Sequence, residues 1–297
     1  LNRKKFSHQK TTYDQITLDS LSPWTEYFYQ VRESGYMSEI NHFKTAPYDT
    51  TAFTFAVLGD TRGGHDVHLK IVQQIIKLNP EFLMNTGDLV VNGSSESEWD
   101  KFFEINHDLM KNMPYYPVIG NHEGNSKNYF NYFALPYKER YYSFSWGVGR
   151  FIVLDSNKPY GESEEQQTFL SNALESIDSN KFIFAFYHHP AYSSVNKRRE
   201  DREKNRHHFL DIFQKRKPDI VFNGHDHNYQ RYLVNGVNYV IAGGGGAPLY
   251  EIDIPDSGFV KGYSVYSYCL VSVDKNKMKM EVYDSTGKVI DSLEIEK

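Results

Sequence analysis

The stretch "NGHDHNYQR", residues 223–231, sets His225 and His227 one residue apart, immediately after the apolar run "DIVF". Two imidazoles beside a glycine at the end of an apolar strand have a ready explanation as metal ligands, since neutral imidazole is the commonest protein nitrogen donor. The same arrangement recurs along the chain. "FAVL" is followed by Gly59-Asp60, "FLMNT" by Gly87-Asp88, "YYPVI" by Gly120-Asn121-His122-Glu123, and "FIFAFY" by His188-His189. Each Gly-Asp pair taken alone reads as an ordinary turn. Five apolar runs that all end in donor residue types do not.

Asp60, Asp88, Asn121, His188, His225 and His227 form a mixed nitrogen and oxygen donor set. Such a set suits zinc, manganese or iron, whereas calcium prefers oxygen alone. Six donors exceed what one catalytic ion with an open position uses. A carboxylate bridging two ions about 3.5–4 Å apart accounts for the excess and defines a centre that activates water against a phosphorus ester.

The elements around these residues must bring together positions far apart in the chain. In an α/β sheet, ligands gather at the carboxyl ends of the strands, where these donors fall. "FTFAVL", the amphipathic "DVHLKIVQQIIKLN" and "FLMNT" read as strand, helix, strand. Further strands are expected at "YYPVI", "YYSFSW", "RFIVLD", "FIFAFY", "DIVFN" and "NYVIAG", with helices near 96–110, 163–177 and 203–216. The segments "GYSVYSYCLVSVD", "KMKMEVYD" and "KVIDSLEI" read as a closing antiparallel meander. Residues 1–46 read as three short antiparallel strands, too few for an independent sandwich. The expected architecture is α/β with two sheets.

Composition narrows the class. The 297 residues carry 33 Lys and Arg against 38 Asp and Glu, a formal charge of −5, which argues against a dedicated nucleic-acid binder. The mixed-sign run "KRREDREKNR", residues 197–206, reads as a solvated loop or helix start. The single cysteine, Cys269, lies in a strand-like setting and cannot form an internal disulfide. No apolar run reaches the length of a membrane span. The start at Leu1 without a methionine is read as a processed or truncated form.

Through "GDTR", "GDLVV", "GNHE", "YHHPAY" and "GHDHNYQR", residues 53–246 resemble the calcineurin-like metallophosphoesterase superfamily, and within it the purple acid phosphatase-like branch. The N-terminal "ITLDSLSPWTEYFYQVRES…FKTAP" resembles the last strands of the fibronectin type III-like domain that precedes the catalytic domain in that branch. The resemblance implies two packed mixed β-sheets flanked by helices, a four-layer sandwich over residues 48–297, after a partial fibronectin-like domain over 1–47. It implies Asp60 and His227 on a first metal, Asn121, His188 and His225 on a second, and Asp88 bridging two divalent or trivalent Fe, Zn or Mn ions. It also implies a role for His122 on the phosphate or the leaving group, and a secreted, periplasmic or cell-surface location.

Two residues depart from the pattern. Arg62 stands where many superfamily members carry histidine, and Val91 stands where the purple enzymes carry tyrosine. Without that phenol a ferric charge-transfer colour is not expected. Arg62 is read either as a contact to substrate phosphate or as an ion pair capping its turn.

The leading reading is a binuclear phosphomonoesterase acting on a small-molecule phosphoester through a metal-bound hydroxide. The rivals are a phosphodiesterase for cyclic nucleotides or other diesters and, in another class, a non-catalytic binding module that retains metal as a clasp. His189 is read as packing or supporting the centre, and His207 and His208 as solvent-facing or capping. Asp155 could brace the centre or simply turn the chain. Tyr229 and Arg231 could line the pocket or brace its loop. "GGGG", residues 243–246, lacks the lysine and helix of a P-loop and reads as close backbone approach.

Overall fold

The computed structural model describes residues 2–7, 12–48, 51–178, 180–198, 200 and 207–297. The N-terminal part contains β1 (Asn2–Ser7), β2 (Thr12–Thr17), β3 (Glu26–Tyr29), β4 (Arg32–Glu33), β5 (Tyr36–Met37) and β6 (Asn41–Lys44). They pair two by two, β1 with β2, β3 with β6 and β4 with β5, rather than as the three expected strands. This part leans on residues 111–112 of the larger body. Tyr29 Oη donates to the Lys111 carbonyl at 2.7 Å, and the Asn112 side-chain oxygen accepts from His42 N at 3.0 Å.

The remaining chain runs β7 (Phe53–Leu58), α1 (His65–Leu78), β8 (Phe82–Asn85), α2 (Glu96–Met110), β9 (Tyr115–Pro117), α3 (Lys127–Tyr132), β10 (Tyr142–Trp146) and β11 (Gly149–Val153). It continues with α4 (Glu164–Glu175), β12 (Phe182–Phe186), α5 (His207–Lys215), β13 (Ile220–Asn223), β14 (Tyr229–Val234), β15 (Val237–Ala242) and β16 (Phe259–Tyr263). It closes with β17 (Ser267–Asp274), β18 (Lys277–Asp284) and β19 (Val289–Glu296). One sheet is ordered β19-β18-β17-β7-β8-β9 and the other β10-β11-β12-β13-β15-β14-β16. In the first sheet β7, β8 and β9 run parallel; in the second, β11, β12, β13 and β15 do. Both sheets are mixed, as expected.

Alternation along the strands explains the layering. Phe53, Phe55 and Val57 enter the core between the sheets, whereas Ala56 and Leu58 face α1, α2 and α3. Phe182, Phe184 and Phe186 also point between the sheets, with Ile183 and Ala185 facing the layer of α4 and α5. Rings from the two sheets meet edge to face: Phe55 lies 5.1 Å from both Phe151 and Phe184, and Phe82 lies 5.2 Å from Phe151. Such contacts favour one stacking of the sheets over others. Helix, sheet, sheet, helix is the resulting order. Buried Cys269 sits in this core with its thiol pushed up by burial.

The positions that sequence left open resolve through these sheets. β14 covers the "YQR" read as a loop, and Tyr229 and Arg231 both bond Asp291 on β19, at 2.7 Å each, so they brace the two sheets together. β16 is a further strand that the sequence reading lacks. The α5 helix begins at His207, while residues 201–206 of the charged run lie outside the described residues.

Helix α1 buries His68, Ile71, Val72 and Ile75, the spacing of one helical face, and Asn79 ends it in the left-handed conformation at φ 51°. His68 is a liability in acid. Burial lowers its pKa to about 3, and its Nε2 lies 3.4 Å from the Asn106 side-chain nitrogen. Between about pH 6.5 and pH 3 the unfolded chain binds a proton that the folded chain refuses, so stability falls as pH falls. From about pH 8 to pH 5 the loss attributable to this group is about 2 kcal/mol. Urea unfolding of the wild type and of His68→Leu at both pH values measures it; a difference between the two proteins that is independent of pH would refute it.

Candidate metal centre

All the donors sit just beyond strand ends. Asp60 follows β7, Asp88 follows β8, Asn121 follows β9, His188 follows β12, and His225 and His227 follow β13. Three of them, Asp60, Asp88 and His225, take positive φ angles of 55°, 57° and 69°. Left-handed backbone at a non-glycine residue costs on the order of 1 kcal/mol or more. The core of the fold offsets that cost.

The loops approach closely. Asp60 N donates to the Gly87 carbonyl at 2.9 Å and Gly224 N to the His188 carbonyl at 3.0 Å. A Cβ on Gly243 would collide with the Asp226 carbonyl, and one on Gly245 with the Gly59 carbonyl. The glycine run thus lets β15 exit against the donor loops, as the sequence reading proposed.

The donor atoms converge. Asn121 Oδ1 lies 3.1 Å from His188 Nε2 and 3.0 Å from His225 Nδ1, and His188 Nε2 lies 3.3 Å from Asp88 Oδ1. On the other side His227 Nε2 lies 3.6 Å from Asp60 Oδ1. Ligands about 2.1 Å from one tetrahedral ion stand about 3.4 Å apart, so these separations match a shared ion. Asp60 Oδ1 and His225 Nε2 are buried without a hydrogen-bond partner. By residue type and spacing the set fits a transition metal.

Backbone carbonyls fix the imidazoles. His188 Nδ1 lies 2.8 Å from the Thr86 oxygen, and His227 Nδ1 lies 2.7 Å from that of Pro248. A carbonyl only accepts, so Nδ1 carries a proton in both rings and Nε2 is the nitrogen turned toward the centre. His227 also stacks on Tyr250 with ring centres 4.0 Å apart.

The electrostatics reflect crowded charge. Burial pushes the Asp60 carboxyl well above the usual carboxylate range, and the neighbouring Asp88 adds to this. Burial also opposes ionisation of Asp88, but His188 and His122 outweigh it through charge and hydrogen bonds and hold it below that range. His188 is raised to about 9 by Asp88 and Asp60 against its own burial. Burial lowers His225 well below its ordinary value and His227 to about 4, leaving both imidazoles neutral and able to ligate.

Arg62 reaches into this group. Its Nε lies 3.4 Å from Asp88 Oδ2 and its Nη2 lies 3.2 Å from His227 Nε2. Val91 exposes its side chain and contributes its carbonyl, which accepts from His122 Nδ1 at 2.6 Å. His122 Nε2 is left facing Asp88 Oδ2 at 3.8 Å.

Two residues matter more than the sequence reading gave them. His189 joins His188 and His225 in one cluster with potential ligand atoms within 4.8 Å, while its Nδ1 lies 2.9 Å from Ser156 Oγ. Its adjacency to His188 was the available signal. Glu123, part of "GNHE" but given no role by sequence, is buried and accepts from Asp88 N, Leu89 N, Val90 N and Gly120 N at 2.8–3.2 Å. Burial and Asp88 raise it to about 7.

A cavity of about 640 Å³ opens beside Asn121 and His225 and is lined by Arg140, Lys158, Tyr160 and Arg198. Asp155 accepts from Arg140 Nη1 at 2.6 Å and from Asn157 N at 2.8 Å, so it braces the wall of this cavity. A cleft of about 700 Å³ between β10, β11 and α4 lies elsewhere and contains none of the donors.

A family model described as calcineurin-like phosphoesterase matches residues 53–229, more than half of the chain. The chain belongs to that family. Its curated relatives place it in the purple acid phosphatase-like branch. It is 28% identical over 279 residues to "Probable inactive purple acid phosphatase 1" of Arabidopsis thaliana, covering 77% of this chain and 46% of the relative. It is 26% identical over 282 residues to "Purple acid phosphatase 15" of the same plant, covering 78% and 53%. The chain thus spans about half the length of the curated relatives it matches. The fold is that of purple acid phosphatase PPD1 from yellow lupin (Lupinus luteus) seeds, with a TM-score of 0.84 and 22% identity, covering 94% of this chain and 61% of that one. Among the described residues, no helix is long and apolar enough to cross a membrane.

Proposed function

We propose that this chain is a metal-dependent phosphomonoesterase. One observation carries the reading: two imidazole nitrogens, His188 Nε2 and His225 Nδ1, within 3.1 Å of the Asn121 amide oxygen, at the strand ends and next to His122. Asp88, Asn121, His188 and His225 hold a transition-metal ion, Fe, Zn or Mn, and Asp60, Asp88 and His227 frame a second cationic position. When bound, the metal supplies Lewis acidity, which acidifies a water and draws charge from a phosphoryl oxygen.

The chain's own residues do the rest. Asp88 spans both positions, with Oδ1 near His188 and Oδ2 near Arg62. His122, its Nδ1 proton committed to Val91, presents Nε2 to hand a proton to the departing oxygen. Arg62 offsets charge on the equatorial oxygens, and the cavity beside His225 accepts the remainder of a small phosphoester. Residues 48–297 form the catalytic unit, with 1–47 a partial fibronectin type III-like domain. The branch also supports a secreted, periplasmic or cell-surface location.

Exhaustive chelation followed by readdition of manganese, zinc or ferrous iron tests this, assayed with a mono-aryl and a bis-aryl phosphate. Mono-aryl hydrolysis is expected to fall to background and return with metal. Undiminished cleavage after chelation would sink the reading. A preference for the bis-aryl ester would turn it toward phosphodiesters, and bound metal without any hydrolysis toward a binding module.

A further inference from the structure

A first ion held by Asp60, Asp88 and His227 needs the lone pairs of His227 Nε2 and Asp88 Oδ2. Arg62 already engages both, from Nη2 at 3.2 Å and Nε at 3.4 Å. The tautomer leaves no alternative. His227 Nδ1 donates to Pro248, so Nε2 accepts, and a guanidinium only donates. The single lone pair of His227 Nε2 cannot serve an N–H group and a metal together, whereas each Asp88 carboxylate oxygen has a second one, so His227 is where the exclusion acts.

The side chain is set in place. The Arg62 backbone N–H donates to the Asp88 carbonyl at 3.4 Å, and only 15% of the side chain is exposed. The other half of the centre differs. Asn121 Oδ1 faces His188 Nε2 and His225 Nδ1, and His188 Nε2 faces Asp88 Oδ1, at 3.0–3.3 Å, and among the described residues no guanidinium bonds these atoms. Asp60 Oδ1, without a hydrogen bond, keeps one donor for a first ion, so the number of ions is the quantity that decides.

We propose that the Arg62 guanidinium stands permanently in the place of the first ion, so that the chain binds one transition-metal ion where the binuclear pattern binds two. The inference rests on the donor set proposed above. Its test does not need turnover. Protein loaded with excess manganese, and separately zinc, is desalted and its metal counted per chain by mass spectrometry. One ion is expected in the wild type and none in His225→Ala. Arg62→His and Arg62→Ala are each expected to bind two ions, with the paramagnetic spectrum of the manganese form changing from an isolated ion to a coupled pair. Two ions in the wild type, or one in both Arg62 variants when circular dichroism shows them folded, overturns the proposal. No ion in the wild type overturns it together with the metal centre. One ion without hydrolysis leaves it standing and removes only the enzymatic reading.

Discussion

His122→Ala lowers kcat/KM for an alkyl phosphate by about 10²–10⁴-fold, the usual contribution of a general acid, and lowers it far less for an activated aryl phosphate. The asymmetry follows from geometry. His122 follows Asn121 directly, its backbone N–H donates to Asp88 Oδ1 at 3.0 Å, and its Nδ1 bonds the Val91 carbonyl at 2.6 Å. The ring therefore keeps one orientation, with Nε2 toward the centre. An alkoxide needs that proton to leave, whereas a nitrophenolate departs without it. Paired kcat/KM measurements on the two esters check this, with the metal count confirming that the variant still loads. Equal losses on both would assign His122 to phosphate binding, and no loss on either would remove it from the reaction.

Glu123→Ala destabilises the metal-free protein by about 4 kcal/mol, because it leaves four buried N–H groups without an acceptor at about 1–3 kcal/mol each, partly relieved by relaxation and water. Those N–H groups belong to Asp88, Leu89, Val90 and Gly120, so one carboxylate holds together the loops that carry Asp88 and Asn121. Metal affinity is expected to fall about 10–100-fold as well, the usual effect of removing a group that orients a ligand. Urea unfolding and a metal titration measure the two effects. A stability change under about 1 kcal/mol with unaltered affinity would show that Glu123 is not the tie between these loops.

Much of this was legible because it is local. The alternation in "FTFAVL" is enough to predict β7 and its two faces, and the glycine before each Asp marks where the strand ends. The six donors are readable because chemistry restricts which residues bind metal. What escaped depends on partners distant in sequence. β14 carries polar side chains that find Asp291 on β19, 60 positions away from Arg231, so "NYQR" has the composition of a loop. β16 is an edge strand of mixed exposure without a clear period. The bonds of Glu123 go to backbone N–H groups, which leave no trace in residue identity. The contact between Arg62 and His227 spans 165 positions, so sequence could frame the choice for that arginine without locating it.

The same separation governs when the centre can exist. His225 N donates to Asp60 Oδ2 across 165 residues, which makes the clasp a long-range one that closes late as the chain is synthesised. An ion can therefore reward only a nearly finished molecule. At a hundred times its dissociation constant it adds about 2.7 kcal/mol to the folded state and nothing to a nascent chain that still lacks β13.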